Sequence, residues 1–215
     1  MTLAAGTLTT AWVLSVAIYY LTTRPTILEK LKSELTAAIP DPSSYTPLPA
    51  LESLPYLRAC VQEAVRLGYG APGRVCHVAP TEPMILKHDS GEMVIPPGTP
   101  TSMTVYLMNH VESVFPDSHN YRPERWLEKP RLDKYLFSFS KGSRGCAGRD
   151  LAYAELTLAI ARIFRSYGSM GCRHSQDRGV LQPFKTDDRD VTCVAAMILP
   201  KVWSGTKGVR MKIRK

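Results

Sequence analysis

Phe139-Ser140-Lys141-Gly142-Ser143-Arg144-Gly145-Cys146-Ala147-Gly148-Arg149-Asp150-Leu151-Ala152-Tyr153-Ala154-Glu155 is the stretch whose reading decides the fold. One cysteine stands between glycines that permit tight turns, just ahead of an apolar run. Leu151, Ala154, Leu156, Leu158, Ala159 and Ile163 recur near helical spacing, which predicts a buried helix of several turns. Cys146 then lies at or just before a helix N-terminus, where unpaired amides and the positive end of the helix dipole favour a thiolate over a thiol. Arg144 adds positive charge two residues upstream, and Gly142, Gly145 and Gly148 allow close approach of a bulky flat ligand. A single activated thiolate, open to a ligand, is what an axial sulfur ligand to haem iron requires.

A lone cysteine in a glycine-rich turn is ordinarily a small buried hydrophobe. The whole pattern argues otherwise. Phe139-x-x-Gly142-x-Arg144-x-Cys146-x-Gly148 resembles the haem-binding signature of the cytochrome P450 family, the haem-thiolate monooxygenases, with every fixed position filled. Leu151-Ala152-x-x-Glu155-Leu156 is similar to that family's helix after the cysteine. The resemblance implies a mainly α fold with a small β region, here the C-terminal portion of the cytochrome P450 fold, running as one partial domain over residues 1–215 from the oxygen-binding helix onward.

The 215 residues suffice for a sizeable core, and 44% hydrophobic with 21% charged residues is a globular composition. The five cysteines (Cys60, Cys76, Cys146, Cys172, Cys193) form no CxxC pair and no even framework, which argues against a disulfide scaffold or a zinc site and fits a reducing compartment. The net charge of +8 suits an acidic partner or an anionic membrane surface. No nucleic-acid partner is expected, because the basic residues are scattered and carry no recognition motif.

Thr2 to Thr23 holds no charged residue and is long enough to span a bilayer, but its threonines make it weakly hydrophobic. A helix buried inside a protein is the better reading. Within it, Ala5-Gly6-Thr7-Leu8-Thr9-Thr10 resembles the family's oxygen-binding motif, with Leu8 in place of the usual acid. Arg24-Pro25 ends this helix. A second is predicted over Thr26–Ala38, with Glu29, Lys30, Lys32 and Glu34 forming a solvated face, followed by a loop from Pro40 to Pro49.

A third helix runs from Ser53-Leu54-Pro55 to about Leu67, its apolar stripe made by Leu57, Cys60, Val61, Ala64 and Val65. Glu63 and Arg66, three apart, neighbour each other on the opposite side. Alone they read as an exposed ion pair. Beside the cysteine signature they resemble the family's Glu-x-x-Arg motif, and Pro123-Glu124-Arg125-Trp126 resembles the segment that completes it. Glu63, Arg66 and Arg125 are therefore expected to form a structural charge network that holds the cysteine loop.

Arg74 to Val105 has the texture of short strands broken by Gly and Pro, including Met93-Val94-Ile95 before a Pro96-Pro97-Gly98-Thr99 turn, and Thr101–Met108 reads as a further strand. His77 aligns with a position where relatives carry an arginine on a haem propionate, and Arg144 is a second propionate candidate. Asn109 stands where relatives place a histidine. Ser166 to Asp190 is polar and weakly periodic. Val209, Met211 and Ile213 alternate with Arg210, Lys212 and Arg214, as in a half-buried strand.

The resemblance implies haem b held by Cys146, dioxygen activation with Thr9 assisting proton delivery, and insertion of one oxygen atom into a small organic substrate. Electrons would come from NADPH through a reductase partner, at the endoplasmic reticulum membrane. The run from Ala5 to Trp12 is most similar to fungal members that tailor secondary metabolites. Family members are well over twice this length, so the chain reads as a truncated product expected to hold haem weakly. A peroxide-using or rearranging relative, an inactive remnant, and a small membrane protein anchored by residues 3–21 remain as other readings.

Overall fold

The computed structural model describes residues 2–129 and 131–215. The chain opens with α1 (Thr2–Thr23) and α2 (Pro25–Ala38), which meet at Arg24; Pro25 sits in the first turn of α2, where its missing N–H costs nothing. A short α3 (Leu48–Glu52), absent from the sequence expectation, interrupts the loop before α4 (Pro55–Gly68). Four strands follow: β1 (Arg74–Val78), β2 (Met84–His88), β3 (Gly91–Ile95) and β4 (Pro100–Thr104). β1 pairs antiparallel with β4, Arg74 facing Thr104, and β2 with β3, Met84 facing Ile95. Then come α5 (Val105–Met108), α6 (Arg125–Glu128) and α7 (Arg149–Ser166). The C-terminal portion carries β5 (Gly168–Ser169), β6 (Val180–Pro183), β7 (Ala195–Ala196), β8 (Pro200–Lys201) and β9 (Met211–Arg214).

The expected strand over Thr101–Met108 is corrected. β4 stops at Thr104 and the chain turns once as α5, with the Asn109 N–H donating to the Val105 carbonyl at 2.9 Å. That turn brings the Asn109 side chain onto α4, an arrangement an extended run would not make.

Only half of α1 is buried. Val16, Ala17 and Leu21 are fully enclosed, whereas Ala4 to Leu8 are exposed and Leu8 is 52% accessible. The expectation of a helix buried inside the protein holds for its C-terminal half. There α1 crosses α4 closely: Trp12 Nε1 donates to the Gly68 carbonyl at 2.9 Å, and a Cβ on Gly68 would lie 2.8 Å from Val13 Cγ2. A larger residue at 68 would push the helices apart.

α4 is buried on every side from Ala59 to Gly68, so Glu63 and Arg66 do not lie on an exposed face. Its N-terminus has no side-chain cap of its own. The Glu34 carboxylate of α2 instead accepts from the Tyr56 and Leu57 amides at 2.9 and 2.8 Å, satisfying two of the helix's unpaired donors.

The solvated face expected of α2 holds at Glu29 and Lys30, whose side chains are exposed, and is corrected at Lys32. Lys32 is 1% exposed and pairs with Asp177 at 2.6 Å, while its Nζ also donates to the Phe164 carbonyl. Glu29 meets Cys172 and His174, and Lys30 meets Glu124. A partner 145 residues away in sequence leaves no local trace, which is why periodicity reads Lys32 as solvated. The tail strand forms as β9 against β6, Leu181 facing Ile213, but Ile213 is 61% exposed, so the strand's apolar side is only partly covered.

Candidate functional site

α7 starts at Arg149 with Gly148 as its N-cap, and Cys146 lies two residues before that cap with its side chain exposed. The loop ahead of it is fixed by backbone geometry. Ser140 and Gly142 have φ of 58° and 70°, the left-handed region, which glycine adopts without a steric penalty. A one-turn 3-10 helix spans Gly142–Arg144, closed by the Gly145 N–H on the Gly142 carbonyl at 3.0 Å. A Cβ on Gly145 would come within 3.2 Å of the same carbonyl. Gly148 is different: a Cβ there would stand 3.9 Å from Cys146 Sγ, an ordinary contact, so its bareness keeps the sulfur uncovered.

The Cys146 N–H donates to the Phe139 carbonyl at 2.9 Å. The Phe139 ring packs on Tyr153 of α7 with centroids 5.2 Å apart. Phe139 thus clamps the loop at both ends, by carbonyl and by ring. Beside the loop lies a cavity of 710 Å³ whose walls include Arg58 and Gln62 of α4, Phe139, Lys141, Cys146 and Tyr153.

Glu63 stands at the centre of the charge network. Its carboxylate accepts from Arg66 Nε at 3.0 Å and Nη2 at 2.8 Å, Arg125 Nε at 3.1 Å, Trp126 Nε1 at 2.9 Å and the Arg122 backbone N–H at 2.9 Å. Glu63 and Arg66 are fully buried, and Arg125 is 2% exposed. Burial pulls the Arg125 guanidinium below its ordinary pKa, opposed by the Glu63 charge. The remaining guanidinium N–H groups end on carbonyls: Arg66 Nη1 on Asn109 and Ser118, and Arg125 Nη1 on Pro116. Every charge is paired and hydrogen-bonded, as ions removed from water require. Glu63, Arg66 and Arg125 are brought together as expected.

Sequence reasoning assigned no role to the residue that connects this network to the cysteine loop. Asn109 is fully buried; its Nδ2 donates to the Arg66 carbonyl and to Ser138 Oγ, each at 2.9 Å, and its Oδ1 accepts from the Phe137 N–H. Ser138 Oγ in turn donates to the Val65 carbonyl at 2.9 Å. Asn109 and Ser138 together tie the end of α4 to the residue before Phe139.

His110, next in sequence, sits between hydroxyls, 2.6 Å from Tyr69 Oη and 3.0 Å from Ser118 Oγ. Burial and the neighbouring His119 and Arg66 push it down to about 4, so it is neutral at physiological pH.

The other candidates lie apart. Thr9 is half-buried on α1 and its hydroxyl donates to the Ala5 carbonyl at 2.7 Å. Arg144 is exposed on the loop, and His77 is exposed on β1. None of the three lines the 710 Å³ cavity.

The residues present fit a thiolate-ligated haem. The sulfur is exposed and uncovered at Gly148, the loop is held rigid by backbone bonds, and the exposed Arg144 cation lies two residues away.

The family model described as Cytochrome P450 matches residues 1–183. The cytochrome P450 monooxygenase tpcC of Cochliobolus heterostrophus is 48% identical over 212 residues, covering 98% of this chain and 40% of that protein. The cytochrome P450 monooxygenase astB of Talaromyces wortmannii is 46% identical over 223 residues, covering 99% of this chain and 44% of that protein. The cytochrome P450 monooxygenase sdnE of Sordaria araneosa is 38% identical over 218 residues, 98% of this chain and 39% of that protein. The chain thus spans about two fifths of the length of the curated relatives it matches. With an exposed cysteine on a glycine-fixed loop and a buried Glu-x-x-Arg network behind it, this chain belongs to the cytochrome P450 family.

Proposed function

We propose that this chain is the haem-holding portion of a monooxygenase that inserts one oxygen atom of dioxygen into a small organic substrate. The observation that carries the reading is the exposed Cys146 thiol, presented by a loop held by backbone bonds from Gly145 to Gly142 and from Cys146 to Phe139. When bound through that sulfur, haem b supplies dioxygen activation and oxygen-atom transfer. Cys146 Sγ holds the iron, and the Gly142 and Gly145 turns keep the sulfur in place. Arg144 offers its guanidinium to a propionate; His77, exposed on β1, is the second candidate for that role. The Thr9 O–H already donates a hydrogen bond to the Ala5 carbonyl, so the same oxygen is left to accept a hydrogen bond and to position a water.

Electrons come from NADPH through a reductase, for which the +8 charge provides attraction to an acidic face. The place of work is the endoplasmic reticulum membrane surface, and the substrate class is that of fungal secondary-metabolite tailoring. A peroxide-driven reaction is the second reading, favoured by Leu8 in the acid position beside Thr9. Dependence of turnover on NADPH and reductase separates the two.

The deciding experiment is the spectrum of haem-reconstituted chain, reduced and exposed to carbon monoxide. Thiolate ligation gives a red-shifted Soret band that disappears in Cys146→Ala. A band that persists in the variant removes Cys146 as the ligand.

A further inference from the structure

A second cluster of ligating atoms lies away from the Cys146 loop, where α2 meets the turn after β5. Glu29 of α2 accepts from Cys172 Sγ at 3.2 Å, and its two carboxylate oxygens lie 3.0 and 3.1 Å from His174 Nε2. All three donor atoms fall within 4.8 Å of one another. We propose that Glu29, Cys172 and His174 form a binding site for a zinc-class divalent cation, independent of the haem.

The first argument is geometric. Tetrahedral zinc with bonds of about 2.0 Å to N and O and about 2.3 Å to S sets its ligands about 3.3 to 3.5 Å apart. The hydrogen-bonded contacts of 3.0 to 3.2 Å therefore need to open only slightly to admit the ion. The second is preorganisation. Cys172 is tied to Ser169 by backbone bonds in both directions, and the His174 N–H donates to Asp177 Oδ2 at 2.8 Å. Asp177 is itself anchored by the buried Lys32, one helical turn beyond Glu29 on α2. The same ion pair ties the helix that carries Glu29 to the turn that carries His174, which limits the backbone entropy lost when a cation orders the ligands.

The third argument is charge. A thiolate, a carboxylate and a neutral imidazole balance a divalent cation, and Lys32 is already neutralised by Asp177. Cys172 is 6% exposed while the Glu29 side chain is 55% exposed, which leaves one side open to a water ligand. Mixed S, N and O donors suit zinc rather than magnesium or calcium, which take oxygen.

The test is a Co²⁺ titration of the chelator-stripped full chain, followed by difference absorption. The expected result is a thiolate-to-cobalt charge-transfer band saturating at one equivalent, lost in Cys172→Ser and retained in Cys146→Ser. His174→Gln and Glu29→Gln, both at solvent-accessible side chains, weaken cobalt binding by at least about tenfold, the lower bound seen even for outer-shell partners. These two variants decide the matter if Cys172→Ser fails to fold. No band in the parent chain, a band that survives Cys172→Ser, or unchanged affinity in both His174→Gln and Glu29→Gln overturns the site.

Discussion

Asn109 Nδ2 donates a 2.9 Å hydrogen bond to Ser138 Oγ, and through it the end of the Glu63–Arg66 helix is tied to the residue preceding Phe139, whose carbonyl receives the Cys146 N–H. Segments distant in sequence thereby become one mechanical unit behind the ligand loop. Asn109→Ala leaves the Arg66 carbonyl without this donor in a fully buried position. The expected loss is about 1–3 kcal/mol in chemical denaturation, with faster haem loss from reconstituted protein. Unchanged stability would show that the tie is dispensable.

Removing Glu63 has a larger effect, because it strands two guanidinium groups in a dry interior. Glu63→Ala is expected to cost about 3–5 kcal/mol, a large share of the roughly 5–15 kcal/mol that holds an ordinary domain folded. Soluble yield and a denaturation curve give the answer.

The Lys32–Asp177 pair obeys the same logic away from the site. Lys32→Met alone leaves an unpaired buried carboxylate and is expected to destabilise by about 3–5 kcal/mol, whereas Lys32→Met with Asp177→Leu recovers much of that loss. A double-mutant cycle in urea measures the coupling; strict additivity would contradict it.

Acid sensitivity is expected from His110, held down to about 4 by burial and by His119 and Arg66. An unfolded histidine titrates near about 6.5, so between roughly pH 6.5 and 4 the unfolded chain binds the extra proton and the folded chain does not. Stability is therefore full above that window and falls as pH drops through it. His110→Gln flattens the dependence of unfolding free energy on pH in this range; an unaltered slope points to another group.

Thiol reactivity separates the five cysteines. Cys76 and Cys146 are exposed, while burial pushes the Cys60 and Cys193 thiols up and, with the Glu29 hydrogen bond, raises Cys172 to about 12. Iodoacetamide at pH 8 is expected to label Cys76 and Cys146 first, and haem to protect Cys146 selectively. Peptide mass spectrometry reads the order. Cys60 labelling as fast as Cys146 would mean that α4 is not enclosed.

What the sequence determined by itself was local. The glycines around Cys146, the proline after Arg24 and the periodicity of α2, α4 and α7 are short-range constraints of sterics and helical geometry, and they fixed those helices and the ligand loop. The Glu63, Arg66 and Arg125 set was legible only through its resemblance to a family pattern, since nothing local distinguishes it from an exposed pair. Tertiary structure alone decided that α4 is enclosed, that Lys32 is buried, that Thr101–Met108 breaks into strand and turn, and that Asn109 joins the network to the loop. Each depends on partners tens to more than a hundred residues away. The burial of a polar group is set by what folds over it, and that information is not carried by its neighbours in the chain.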